Sequence, residues 1–208
     1  MALLAALLLS GCASTVVTDV TAFRQPGWQN DAPRTYSFER TPEQAGQLDR
    51  QTYEQWLAEA LYDAGYEQVP EKQARYRISM DYEAAPGIVR VAETVYPDPW
   101  YGPWGPYWGP YWGPGYYRPW GPWGPWGPGY WPPQTVVRDV PVLFSNLRVY
   151  FRDAASGKRV YQVTAQNQTE NGSLPATMPY LIRSAFADFP AESGRPRRVK
   201  LEVEKAQK

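Results

Sequence analysis

The chain has 208 residues, in which 21 Lys and Arg balance 21 Asp and Glu, with no histidine and one cysteine. A net charge of zero excludes a global field toward nucleic acid or anionic lipid. The missing histidine and the lone cysteine exclude Ser–His and Cys–His nucleophile systems and the usual nitrogen and sulfur metal ligands, so only carboxylate, Lys or Tyr chemistry is left.

The first twelve residues are Met-Ala-Leu-Leu-Ala-Ala-Leu-Leu-Leu-Ser-Gly-Cys, an apolar run closed by the only cysteine. Ala2 to Leu9 is far shorter than the roughly 20 apolar residues that cross a bilayer as a helix. Its length suits the core of a secretory signal, with small residues before a cleavage site. Leu9-Ser10-Gly11-Cys12 has the form of a bacterial lipoprotein signal, with residues 1–11 removed and Cys12 acylated. No Lys or Arg precedes the run, so the expected start of translation lies upstream of Met1. Two or more acyl chains on Cys12 would anchor the protein stably, each buried methylene contributing ~0.8 kcal/mol. Ala13 follows the cysteine. In the Gram-negative sorting scheme this resembles an outer-membrane address, with the mature protein on the periplasmic face.

Val16 to Val20 and Thr35 to Phe38 are rich in β-formers and predict two strands, linked through the turn residues Pro26, Gly27, Asn30, Asp31 and Pro33. Thr41-Pro42-Glu43 reads as an N-cap, a first-turn Pro and a first-turn acid. A helix follows to about Ala64, with Tyr53, Trp56, Leu57, Ala60, Leu61 and Ala64 on one stripe and Gly65 past its end. The period then becomes two: Tyr76, Ile78, Met80 and Tyr82 alternate with polar residues and predict a strand. Ala85-Pro86-Gly87 predicts a turn into a hairpin partner over Ile88 to Tyr96.

From Pro97 to Pro133 the chain repeats Trp-Gly-Pro. Eight of its ten tryptophans fall here, at Trp100, Trp104, Trp108, Trp112, Trp120, Trp123, Trp126 and Trp131, and the only charges are Asp98 and Arg118. Interspersed Gly and Pro forbid a helix and predict chained turns and polyproline II pieces that hold the rings outward. Three roles are open to this segment: a tolerated insertion, a contact with the membrane headgroup region, or a stacking surface for glycan or a protein partner. Nucleic acid is not expected, since stacking platforms for it need a basic groove and Arg118 stands alone.

Thr135 to Phe144 predicts another strand, near an edge because of Pro141. Leu147, Val149 and Phe151, the turn Asp153 to Lys158, and Tyr161, Val163 and Ala165 predict a hairpin. Met178, Leu181, Ile182, Ala185, Phe186 and Phe189 restore the helical spacing, which Pro190 stops. Residues 191–208 read as a solvated charged tail. Wet-faced strands in hairpins and two one-striped helices predict an α+β two-layer sandwich: a mostly antiparallel sheet with two helices on one face, interrupted by the Pro/Gly/Trp-rich loop.

Several of these features in this order resemble the DUF4136 family of envelope lipoproteins, a domain of unknown function. They are the Asp19 strand, Thr35-Tyr36-Ser37-Phe38 before a helix, and the helix end Leu61-Tyr62-Asp63-Ala64-Gly65-Tyr66. The strand Tyr76-Arg77-Ile78-Ser79-Met80, the hairpin Asp153 to Tyr161 and the helix ending Asp188-Phe189-Pro190 complete the set. The resemblance implies a single domain over about residues 12–190 with 97–133 inserted, and location and architecture rather than catalysis. Candidate carboxylate pairs, Asp49 with Glu54 and Glu59 with Asp63, are expected on the solvated side of the first helix. The expected function is a lipid-anchored, non-catalytic binding or scaffolding role, with Cys12 as membrane anchor, the eight tryptophans as binding loop, and peptidoglycan or an envelope protein as partner. No cofactor, metal or nucleic acid is expected. The alternative is a carboxylate-based hydrolase of cell-wall glycan.

Overall fold

Along Thr15–Arg24, β-branched and small apolar residues alternate with polar ones, so an extended chain buries Thr18, Val20 and Ala22 on one side and exposes Val17, Asp19 and Phe23 on the other. This is β1 of a computed structural model that describes residues 15–95, 134–170 and 172–203. There follow β2 (Thr35–Phe38), α1 (Pro42–Ala45), α2 (Leu48–Asp63), β3 (Glu67–Gln68), a 3₁₀ turn (Glu71–Gln73), β4 (Tyr76–Val95), β5 (Gln134–Asp153), β6 (Arg159–Thr169), α3 (Leu174–Phe186) and β7 (Arg197–Glu202). The strands form one seven-stranded sheet in the order β3-β2-β4-β5-β6-β1-β7. Strand β1 pairs antiparallel with β6 and β7, β5 pairs antiparallel with β6, and β2 pairs parallel with β3 and β4. The sheet is thus mixed, within the expected α+β sandwich.

Both long helices bury one stripe on one side of this sheet. Tyr53, Leu57 and Leu61 of α2 and Met178, Leu181, Ile182 and Ala185 of α3 meet Val20, Ile78, Met80, Leu147, Val149, Val163 and Ala165 in a single core. Burying each Leu, Ile or Val stabilises by roughly 1.5–3 kcal/mol. Phe151 lies among aromatic neighbours, with Tyr161 at 5.5 Å, Tyr66 at 5.6 Å and Phe189 at 5.5 Å between ring centroids. Such pairs add roughly 0.5–1.5 kcal/mol beyond area burial. Helix α2 ends as expected: Gly65 takes a φ of +82°, its N–H bonds the Tyr62 carbonyl, and the Tyr66 N–H bonds that of Leu61.

Four expectations need correction. The single helix over 41–64 is two helices. Thr41 and Gln44 form a reciprocal capping box on α1, the chain leaves helical geometry at Gly46-Gln47, and α2 starts afresh at Leu48. Ala85-Pro86-Gly87 makes no turn, because β4 runs straight through it to Val95. Strand β2 accompanies β4 only at Tyr76–Ile78, so Pro86 lies where that side of β4 has no β2 carbonyl to bond. Pro141 is likewise internal to one continuous β5, just beyond Leu143, where the pairing with β6 begins. Lastly, the charged tail supplies β7, which covers the edge of β1 with Arg198 opposite Asp19.

The contacts divide the chain into two units, residues 1–87 with 142–208, and residues 88–141. The first holds the core and both long helices. In the second, Ile88, Val91, Val95, Val136 and Val137 are exposed, and Arg90 pairs with Asp139 at 3.4 Å.

Candidate functional site

Cys12 and the eight candidate tryptophans, Trp100 to Trp131, lie outside the described residues. Of the candidate carboxylates, Glu59 and Asp63 are exposed on α2 as expected. Glu54 is not: it is 3% exposed, on the buried side of the helix. The helical period carries the apolar stripe back from Leu61 and Leu57 to Glu54 and Arg50, a spacing visible in the sequence that polarity alone obscures.

Glu54 accepts from the Arg40 Nε at 2.6 Å and lies 4.0 Å from the buried Arg50 guanidinium. Arg50 in turn donates to the Met80 carbonyl at 2.9 Å and stands 5.4 Å from the Tyr82 ring centroid. The Tyr82 hydroxyl donates to Asp49 at 2.6 Å. That hydrogen bond holds the Asp49 carboxyl below the usual carboxylate range, while burial and the same bond push the Tyr82 hydroxyl up to about 12. Both candidate carboxylates therefore have internal partners that tie α2 to β4 and to the chain before it.

Among the described residues, no helix lies on the other side of the sheet. Because side chains alternate along a strand, the residues between the core positions emerge there together. Register places Phe23, Gln162 and Tyr150 in one row across β1, β6 and β5. Thr21, Thr164 and Arg148 form the next row, and Asp19, Gln166 and Asn146 the one after. Four ion pairs lie on this face: Arg198 with Asp19 at 2.8 Å, Arg148 with Glu83 at 3.5 Å, Arg77 with Glu71 at 3.0 Å and Arg152 with Glu39 at 3.5 Å. The Arg198 hydrogen bond holds the Asp19 carboxyl low. The Arg159 guanidinium lies 4.1 Å from the Tyr150 ring centroid and donates to the Gln162 side-chain Oε1 at 3.2 Å.

Two concavities break this face. The smaller is a notch lined by Asp81, Tyr82, Glu83, Asn146 and Arg148. The larger, of about 330 Å³, is a shallow groove lined by Val17, Asp19, Phe144, Gln166, Asn167, Gln168 and Arg198. A third groove, of about 380 Å³, lies between α2 and α3 over Ala60, Ala64, Phe186 and Phe189, with Asp63, Arg183 and Asp188 at its rim. Among the described residues, no three acidic side chains gather into a group that could hold a metal ion, and no helix is long and apolar enough to cross a membrane. Sequence reasoning put the candidate surface on the tryptophans and missed the sheet face. Its signal was the set of wet positions of the alternating strands, although their grouping depends on strand order.

A mixed sheet with the described helices on one side defines a two-layer α+β protein with a solvated face. Over residues 19–191 the chain matches the model described as a domain of unknown function, DUF4136, and it belongs to that family. Among solved structures it is similar to a PDZ domain protein from Parabacteroides distasonis, at 9% identity and a TM-score of 0.52. That match covers 90% of this chain and 39% of the other, so the chain spans well under half of that protein. It is also similar to PelC from Paraburkholderia phytofirmans, a dodecamer, at 12% identity and a TM-score of 0.41, over 85% of this chain and 99% of that one. No curated protein matches the chain.

Proposed function

We propose that this DUF4136 chain is a lipid-anchored, non-catalytic binding or scaffolding protein of the outer membrane that faces the periplasm. The observation that carries the reading is the sheet face opposite the helices, on which ion pairs neutralise one another and the Gln166 and Gln168 amides have no hydrogen-bond partner among the described residues. Such a surface suits recognition of an extended partner better than enclosure of a small substrate, which favours a concave, mostly apolar pocket. Leu9-Ser10-Gly11-Cys12 supports the anchor. The eight tryptophans support a second contact, with headgroups, glycan or a protein partner, since indole combines a large apolar face with an N–H donor.

The test is co-sedimentation of the chain beginning at Ala13, without lipid, with peptidoglycan sacculi and separately with liposomes, beside a version lacking 97–133. Pelleting with one target is expected. Its loss on deletion assigns the contact to the aromatic segment, and its survival assigns it to the domain surface. Pelleting with neither overturns the reading for both targets and leaves a protein partner to be sought.

A further inference from the structure

The geometry points to a binding site for a neutral saccharide in the groove between β1, β5 and β6, built from Phe144, Gln166, Gln168 and the Asp19–Arg198 pair. This deepens the proposed binding role and rests on it, without involving the tryptophan segment. Phe144 is opposite Gln168 in the register, and its side chain is 43% exposed on a sheet face that carries no helix among the described residues. Its ring leans over the neighbouring strand onto Gly87: a Cβ there would come within 2.5 Å of Cε2 and 2.9 Å of Cδ2. Glycine at 87 thus vacates a seat that keeps the ring low on the sheet and open to solvent, at one wall of the groove. Val17 is the other apolar wall.

Between the walls, Gln166 and Gln168 emerge on the same face about 7 Å apart, two residues of strand rise. Neither amide has a hydrogen-bond partner among the described residues. The intervening Asn167 points to the opposite side, donating to the Val17 carbonyl at 2.9 Å. Beside them Arg198 donates to both carboxylate oxygens of Asp19, at 2.8 and 3.4 Å. The groove therefore offers an aromatic ring, two amides that each donate and accept, and a self-neutralised ion pair with unused acceptor and donor capacity. A pyranose ring complements all three: its C–H face packs on the aromatic ring, and its hydroxyls, donors and acceptors at once, bridge amide and carboxylate. Within the groove lining the Asp19 and Arg198 charges cancel, which favours a neutral occupant over an anion or a cation, and the exposed Lys200, opposite Val17, is a neighbour rather than a lining residue. A protein partner would need about 800 Å² per side with an apolar centre, whereas the apolar part here is two separated side chains.

The experiment titrates the full chain in detergent micelles with chitotetraose and with cellotetraose, two neutral β-linked tetrasaccharides, and follows amide chemical shifts. Wild type should bind at least one at millimolar concentration, with shifts on β6 and β1. Phe144→Ala and Gln168→Ala should each weaken the association about tenfold or more. Gly87→Ala should weaken it with the ring still present, because the new methyl displaces the ring. Retained dispersion of the amide spectrum shows that each variant is folded. Binding unchanged in all three variants, or no binding of either sugar, overturns the saccharide site. If Phe144→Ala leaves wild-type pelleting with sacculi or liposomes intact while these titrations are blank, this inference fails and the broader binding role stands.

Discussion

Arg50 and Glu54 lie one helical turn apart beneath α2, with Glu54 3% exposed and Arg40 and Arg50 both drawn to its carboxylate. Desolvating such charges costs several kcal/mol per ion, which the pairing and the Met80 carbonyl offset. Removing one partner alone leaves the other charge buried. Glu54→Ala is therefore expected to destabilise the protein by about 3–5 kcal/mol, whereas replacing both with apolar residues of similar volume (Arg50→Met with Glu54→Leu) should cost much less. Urea midpoints of the two variants check this, and equal losses would show that the pair does not act as a unit. At this scale the sequence was partly legible. Tyr53, Leu57 and Leu61 were readable as core because they are apolar and helically spaced. Glu54 shares that spacing but was placed in solvent, since nothing local reveals that Arg40, fourteen residues earlier, comes back to meet it.

At the scale of elements, the turn between β5 and β6 shows how glycine serves geometry rather than space. Gly157 has a φ of +68° and a Cβ there would meet nothing within 4 Å. Asp153 shapes the same turn, accepting from the Ser156 N–H at 2.8 Å and hydroxyl at 2.7 Å. Gly157→Ala should thus cost only the left-handed backbone penalty, about 1–2 kcal/mol, with the hairpin register unchanged. Thermal melts would measure the loss, and a change of less than a few tenths of a kcal/mol would mean that the turn relaxes. The hairpin and both apolar helix stripes could be read from sequence, because turn residues and period are local signals. The long strands could not. Pro86 and Pro141 normally stop strands, but here each falls where one neighbouring strand has ended, so no ladder bond from that neighbour is lost. Two-residue β3 and charged β7 carry too little pattern to be seen without the partners they cover.

For the whole molecule, the core cluster among the described residues falls before Met80 or after Leu147, or is one of these two, and the buried Val142, between them in sequence, also lies outside 97–133. Deleting 97–133 should accordingly leave a cooperative melt and the wild-type near-ultraviolet signal of Tyr66, Tyr76 and Phe151. Loss of cooperativity would show that the segment helps to build the core. The sequence by itself determined the α+β class, the two packed helix faces and the Gly65 helix end, since each rests on periodicity or turn chemistry within a few residues, and membership of the DUF4136 family, which rests on the order of motifs over residues 19–191. Only the tertiary structure decided that four expected short strands are two long ones, that an ion pair is buried under α2, and that the Gln166–Gln168–Phe144 face lies open. These depend on which strands become neighbours. Pairing joins residues such as Asp19 and Arg198 across the chain, and no local pattern encodes that choice.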